Sequence, residues 1–298
     1  MAGRRWHPIA GQADALSPDT IARMRWIYLS PHPDDAALCA GGMIYDQAQA
    51  GEQVEIWTLM CGVPEGETLS DFAREMHAKW GTTSARQTLQ VREAEDRRAA
   101  ELLGARLVRF SFLDAIYRRG PDGEALYGDP VGAPENPADA LLPGLISRAV
   151  APRLRRVDRL VCLLGIGGHV DHALVRRAAE MWSGVPRYVA DFPYVMKHPE
   201  SVEAHTVGMQ SAVVPVSQEG LEAWIGAVEA YKSQIDTVFE GRNARETVRE
   251  YWTTVGGVRV WSSANPSPSL PRAPSAGGPR QGLAPGPLPT GEGSGSEK

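Results

Sequence analysis

The stretch Trp26-Ile27-Tyr28-Leu29-Ser30-Pro31-His32-Pro33-Asp34-Asp35-Ala36 places an apolar run directly before one imidazole and two adjacent carboxylates. The run Trp26 to Leu29 reads as a buried strand and residues 37–49 as a helix, so the polar cluster falls on a strand-to-helix loop. In an open α/β sheet that edge is where ligands bind. Prolines on either side of His32 restrict the backbone and remove two N–H donors, which suits a loop that holds side chains in fixed directions.

A second cluster, Gly165-Ile166-Gly167-Gly168-His169-Val170-Asp171-His172, follows the apolar run Leu160-Val161-Cys162-Leu163-Leu164 and also opens a helical pattern. Two such loops can meet at the carboxyl edge of one parallel sheet. They would offer His32, Asp34, Asp35, His169, Asp171 and His172, more than the three protein ligands of a catalytic zinc, with groups left for proton transfer. Taken singly, Asp34 or Asp35 reads as a helix N-cap and each histidine as a surface or capping residue. The coincidence of the two clusters favours a metal.

Between and beyond these loops, apolar runs alternate with helical patterns, the signature of βαβ units. Strands are expected over 54–60, 106–112, 160–164, 187–192, 212–216 and 258–261, and helices over 85–103, 138–150 and 218–235, with a Gly- and Pro-rich loop over 120–137. The fold class is α/β: a Rossmann-like three-layer fold with a mostly parallel sheet. Residues 1–23 read as an N-terminal extension, 24–262 as one domain and 263–298 as a disordered tail, because Pro, Gly and Ser dominate there and few large apolar residues remain to offset the entropy of ordering.

The chain has 298 residues, 43% of them hydrophobic, enough for a sizeable core. A net charge of −5 gives no basic footprint, so nucleic acid is not expected as a partner. No run approaches the ~20 apolar residues of a membrane span, and the start lacks the apolar stretch of a secretory signal. Cys39, Cys61 and Cys162 are odd in number and scattered, which fits free thiols in a reducing cytoplasm. No pattern in the sequence specifies an oligomeric state.

The P-H-P-D-D-A loop, the H-V-D-H segment, the pattern Arg92-x-x-Glu95-x-x-x-Ala99-x-x-x-Leu103-Gly104 and the stretch Ala230-Tyr231-Lys232-Ser233-Gln234 together resemble the PIG-L/LmbE-like family of zinc-dependent N-deacetylases, from about Trp26 to about Trp261. One departure is Ala36, which stands where the family loop usually ends in Glu and removes any hydrogen bond from that carboxylate. The resemblance implies that His32, Asp35 and His172 ligate Zn2+, or another divalent metal, and that Asp34 is the general base. It implies that His169 faces the substrate carbonyl and stabilises the oxyanion, as an imidazolium if protonated. Asp171 is expected to orient His169. The implied substrate is a small N-acetylglucosamine-like amino-sugar conjugate.

Asp114 is a candidate for a sugar hydroxyl contact, alongside Tyr117, Arg118 and Arg119 on the same loop for polyol or anionic groups. Arg92 is a further substrate candidate, with an i,i+3 surface pair to Glu95 as the plainer reading. His77 reads as structural. Two other function classes share these residues: a metal-dependent phosphoesterase, which needs more carboxylates for a two-metal site, and a non-catalytic sugar-binding module on the same fold.

Overall fold

The computed structural model describes residues 24–66, 68–182 and 186–263. The apolar run at Trp26 becomes strand β1 (Arg25–Ser30), joined by β2 (Gln53–Thr58), β3 (Arg106–Arg109), β4 (Arg159–Leu163), β5 (Arg187–Val189), β6 (Met209–Pro215) and β7 (Gly257–Ser263). They form one sheet in the order β3-β2-β1-β4-β5-β7-β6. The pairs from β3 through β5 are parallel, and β7 runs antiparallel to both β5 and β6. This is the Rossmann-like α/β fold with a mostly parallel sheet. Strand order reverses between β1 and β4, so the two polar loops leave the same edge at the point where the sheet parts its connections.

Every residue of β1 is buried because helices cover both faces. Trp26 and Tyr28 enter a core under helices Asp35–Gln49, Ala85–Leu103, Gln218–Glu229 and Ala244–Val255. Ile27 and Leu29 enter the opposite core, under Leu142–Val150 and Val170–Glu180. The period of two thus persists although the run shows no polar alternation. In helix Asp35–Gln49, Gly41 and Gly42 lie against Trp224 and Val216, where an added Cβ would stand 2.5 Å from Trp224 Cδ1 or from Val216 Cγ1. Two glycines are therefore required for this helix to meet Gln218–Glu229 closely.

Several boundaries differ from the sequence reading. Helix 138–150 divides into a 3-10 turn, Pro137–Asp139, and a helix, Leu142–Val150, because Pro143 fits only a first turn. Helix 218–235 stops at Glu229, and a turn sends the Tyr231 hydroxyl to Asp96 Oδ1 at 2.8 Å before a short helix, Ile235–Phe239, begins. Strands 54–60, 106–112 and 187–192 end early, at Thr58, Arg109 and Val189. Helices Asp71–Lys79 and Ala244–Val255 were not expected. The second carried legible signals: Asn243 as N-cap, Gly256 as left-handed C-cap, and buried Ala244, Thr247, Val248 and Tyr251 at helical spacing. Strand β7 includes Ser263, the first residue that composition assigns to a tail. The expected extension, 1–23, and the rest of the expected tail lie outside the described residues. Among those described, no helix is long and apolar enough to cross a membrane.

Candidate active site

Ser30 closes β1 and staples the loop that follows: its hydroxyl donates to His32 O at 2.6 Å and accepts from Ala36 N at 3.0 Å. The His32 N–H donates to Asp35 Oδ2 at 2.7 Å, which aims that carboxylate back across the loop. Asp34 precedes the helix with φ 119° and ψ −41° and makes no side-chain cap. A non-glycine residue at such a φ, outside the left-handed helical region, is unusual and strained. The N-cap reading of Asp34 is therefore replaced. Its buried carboxylate instead stands 3.4 Å from Arg92 Nη2, which also donates to Pro33 O at 2.9 Å.

The loop after β4 brings the second cluster alongside. Asp35 lies 3.3 Å from His32 Nδ1 through one oxygen and 3.4 Å from His172 Nε2 through the other. Two ligand atoms about 2.05 Å from a tetrahedral ion would be about 3.4 Å apart, and each of these separations is of that size, one through each oxygen of Asp35. His172 Nδ1 is 2.7 Å from Asp191 Oδ1, and the other Asp191 oxygen accepts from Gly165 N and Ile166 N, both at 2.8 Å. That leaves Nε2 of His172 as the nitrogen facing Asp35. The His169 ring stands 4.6 Å from His32 and 5.1 Å from His172, centroid to centroid. Among the described residues, donor atoms of His32, His169 and His172 fall within 4.8 Å of one another, as do those of His32, Asp114 and Asp171.

One expected contact is corrected. The carboxylate of Asp171, wholly buried, does not hold His169; it sits 3.0 Å from His32 Nε2 and also accepts from Ala115 N at 2.9 Å and Arg118 Nη1 at 2.6 Å. Residues two apart at a helix start point to different sides, so sequence proximity to His169 misleads. His169 is bound to the same residue's backbone instead, its Nδ1 accepting from Asp171 N at 3.2 Å. A nitrogen that accepts carries no proton, so the neutral ring keeps its proton on Nε2.

Electrostatics follow from this packing. Burial works against an imidazolium at His32, but Asp114, Asp171 and Asp35 outweigh it and raise its pKa to about 10. His172 is likewise opposed by burial and lifted well above its ordinary value by Asp35 and Asp191. Asp35, despite burial, is held well below the usual carboxylate range by His172 and His32. Burial pushes Asp34 up to about 7, against Arg92 and with Asp35 adding to the rise. Burial and the positive charge of His32 and His172 keep His169 well below its ordinary value, which disfavours the imidazolium form. A carboxylate-rich pocket that keeps two imidazoles protonated is one that would exchange those protons for a divalent cation.

Asp114 and Arg92 both reach this site. Asp114 Oδ2 is 3.8 Å from His32 Nε2 and from Arg92 Nη1, while Oδ1 caps Ile116 N. The Arg92–Glu95 surface pair is not formed: Arg92 is buried toward the loop, and Glu95 accepts from Ser233 N and Oγ. His77 is buried against the Tyr117 hydroxyl at 2.8 Å, the structural role read for it. Arg118 turns inward to carboxylates rather than out to a ligand. Asp191 is not among the sequence candidates, although it lies one residue before the end of the run 187–192 at the same sheet edge.

The family model for PIG-L, described as GlcNAc-PI de-N-acetylase, matches residues 27–183. The chain belongs to the PIG-L family. It is similar to the 2'-N-acetylparomamine deacetylase of Streptomyces fradiae, with 26% identity over 264 residues covering 85% of this chain and 86% of that protein. Among solved structures it resembles a deacetylase of the teicoplanin biosynthesis pathway, with TM-score 0.71 and 28% identity over 80% of this chain and 97% of that one. The A40926 pseudoaglycone deacetylase Dbv21 matches over the same shares with TM-score 0.61 and 25% identity. A further related structure is a zinc-inhibited form of teicoplanin deacetylase, with TM-score 0.68 and 28% identity over 80% of this chain and 97% of that one.

Proposed function

We propose that this PIG-L protein hydrolyses the N-acetyl amide of an N-acetylglucosamine-like amino sugar carried on a larger conjugate, using one divalent cation, zinc by its donor set, held by His32, Asp35 and His172. The observation that carries the reading is the Asp35 carboxylate set between His32 and His172, with Asp34 buried beside it. The names of the deacetylase relatives support an amino-sugar conjugate as substrate class. A cation at that position would lower the pKa of a water to about 7 and polarise the acyl oxygen.

The chain's own groups supply the rest. Asp34 accepts the proton of the attacking water and passes it to the departing nitrogen, so that amide plus water becomes acetate plus free amine. Burial raises its pKa to about 7 before any cation is bound, and the charge of a cation held beside it would bring that value down. His169 presents its Nε2 proton to the acyl oxygen as negative charge grows there. Arg92 and Asp114, 3.8 Å apart, offer a donor and an acceptor to sugar hydroxyls.

The crevice behind Asp34, lined by Leu38, Val228, Tyr231 and Ile235, holds only about 160 Å³ of empty space, less than the roughly 300 Å³ or more of a typical ligand pocket. Substrate therefore approaches from the side of His169 and the exposed Gly168. The second donor group, His32 with Asp114 and Asp171, shares His32 with the first and has Asp171 committed to Arg118, so it builds no independent second metal site of the kind a phosphoesterase needs. Three free, buried cysteines favour a cytoplasmic setting.

The test is acetate and free-amine release from N-acetylated aminoglycoside and glycopeptide substrates by metal-depleted protein reloaded with zinc, cobalt or manganese. Zinc is titrated to one equivalent, because a related deacetylase has a zinc-inhibited form. Stoichiometric metal binding without amide hydrolysis on any substrate would leave a binding module as the better reading.

A further inference from the structure

Asp171 is wholly buried, and one of its oxygens accepts from Ala115 N while facing His32 Nε2. Its other oxygen is held by Arg118 Nη1 at 2.6 Å. The same guanidinium donates to Leu113 O at 2.9 Å through Nη1 and to Asp139 Oδ2 at 3.0 Å through Nε. Asp139 in turn accepts from the Tyr127 hydroxyl at 2.7 Å, and the Tyr127 ring lies 5.4 Å from the guanidinium carbon. Asp171, Arg118, Asp139 and Tyr127 are all buried, so this chain of contacts crosses no solvent.

We propose that Arg118 is a positioning residue for the metal centre, fixing the Asp171 carboxylate against His32 and tying both to the segment 119–139; the proposal rests on the metal site argued above. With Nε2 of His32 committed to Asp171, Nδ1 is the nitrogen left facing Asp35. Release of the far oxygen of Asp171 would free the carboxylate to turn, and the imidazole could then present either nitrogen. A planar guanidinium can hold Asp171, Asp139 and Leu113 O at fixed angles at once, which the single ammonium of lysine cannot. The segment also meets the site directly: Gly132 N donates to Gly168 O at 2.9 Å and Val170 N to Pro130 O at 3.1 Å, on either side of the bridge between Val131 and His169. The segment beside the substrate approach is thereby mechanically joined to the ring of His32.

The test compares wild type, Arg118→Lys and Tyr127→Phe in two measurements, a chelator competition for zinc and the downfield ring N–H resonance of His32 in metal-free protein, assigned by its loss in His32→Gln. Arg118→Lys should raise the zinc dissociation constant about 10- to 100-fold, as outer contacts to metal ligands commonly do, with kcat falling more than KM rises. The His32 resonance should shift and broaden. Tyr127→Phe, which removes one hydroxyl and is the fallback if Arg118→Lys does not fold, should move the same resonance in the same direction by less. Unchanged zinc affinity and an unmoved His32 resonance in a folded variant would overturn the proposal, whatever the change in thermal midpoint. A wild type that binds no zinc would defeat the proposed function, and the resonance would still decide the role of Arg118.

Discussion

Replacing Asp34 by Asn separates proton transfer from metal binding. Asn keeps the shape of the side chain at this position, where the backbone has a positive φ of 119°, and leaves His32, Asp35 and His172 in place. What it removes is the acceptor for the proton of water, in a buried position beside Arg92 at 3.4 Å where bulk water offers no ready substitute. Loss of a positioned general base is worth about 10² to 10⁴ in turnover, or roughly 3 to 5 kcal/mol of barrier. Metal content should stay near one equivalent. Asp35→Asn should do the opposite, since it removes the charge that faces both imidazoles at 3.3 and 3.4 Å, so metal and activity fall together. The assay is single-turnover acetate release paired with elemental analysis of the same sample. Turnover of Asp34→Asn above a tenth of wild type, or metal loss from it while Asp35→Asn stays loaded, would show that the roles of the two carboxylates are assigned wrongly.

Asp191→Ala removes the partner of His172 Nδ1 and the acceptor for two backbone N–H groups, and zinc affinity by chelator competition should fall about 10- to 100-fold; retained affinity would remove Asp191 from the centre. Gly41→Ala drives a Cβ to 2.5 Å from Trp224, an overpacking that costs about 1–3 kcal/mol against a helix-propensity gain of at most about 1 kcal/mol, so the urea midpoint should drop. A rise would contradict the packing described here. Glu55 is buried, which by itself raises its pKa, yet Arg106, Trp57 and Arg25 outweigh burial and lower it. A depressed carboxylate contributes stability above the unfolded pKa of about 4.3 that is lost as pH falls through the folded value. The stability difference between wild type and Glu55→Gln should therefore be largest at neutral pH and close in acid; a difference that widens below pH 4 would speak against it.

The two loops of the candidate site are legible because each is short, follows an apolar strand and carries several ligand-type residues within a few positions. Spacing within a loop did not reveal contacts between loops. Asp171 reads as a partner of His169 along the chain, yet the helix that starts at Val170 turns its carboxylate to His32. Asp191 offers one carboxylate at a strand end, a pattern with many uses, and only the parallel pairing of β4 with β5 brings it to His172. Arg92 and Glu95 are neighbours on a helix surface, but burial of the Arg92 face against Pro33 and Asp34 decides between them. The helix Ala244–Val255 escapes a count of apolar residues alone because Thr247 fills a buried position, so its stripe looks interrupted.

The architecture also explains why chemistry and recognition can be built from different parts of this chain. The proposed cation ligands sit on the turn after β1 and in the first turns of the helices that follow β1 and β4, stapled by Ser30 on one side and by Asp191 on the other, so their directions are fixed next to the sheet edge. The connection from β3 to β4 is far longer and has only short 3-10 turns before helix Leu142–Val150, and this irregular part supplies Asp114 to the site and carries Val131 past His169 with 44% of its surface exposed. A single exposed valine is ordinary on a protein surface, but one that stands beside His169 would gain from burial under an apolar group of a bound substrate. A conjugate with an apolar face next to its acetamido sugar would do so, and Val131→Asp should then raise KM for such a substrate several-fold while leaving kcat and zinc content in place. Equal KM values for wild type and Val131→Asp would mean that the apolar part of the conjugate leaves the site in another direction.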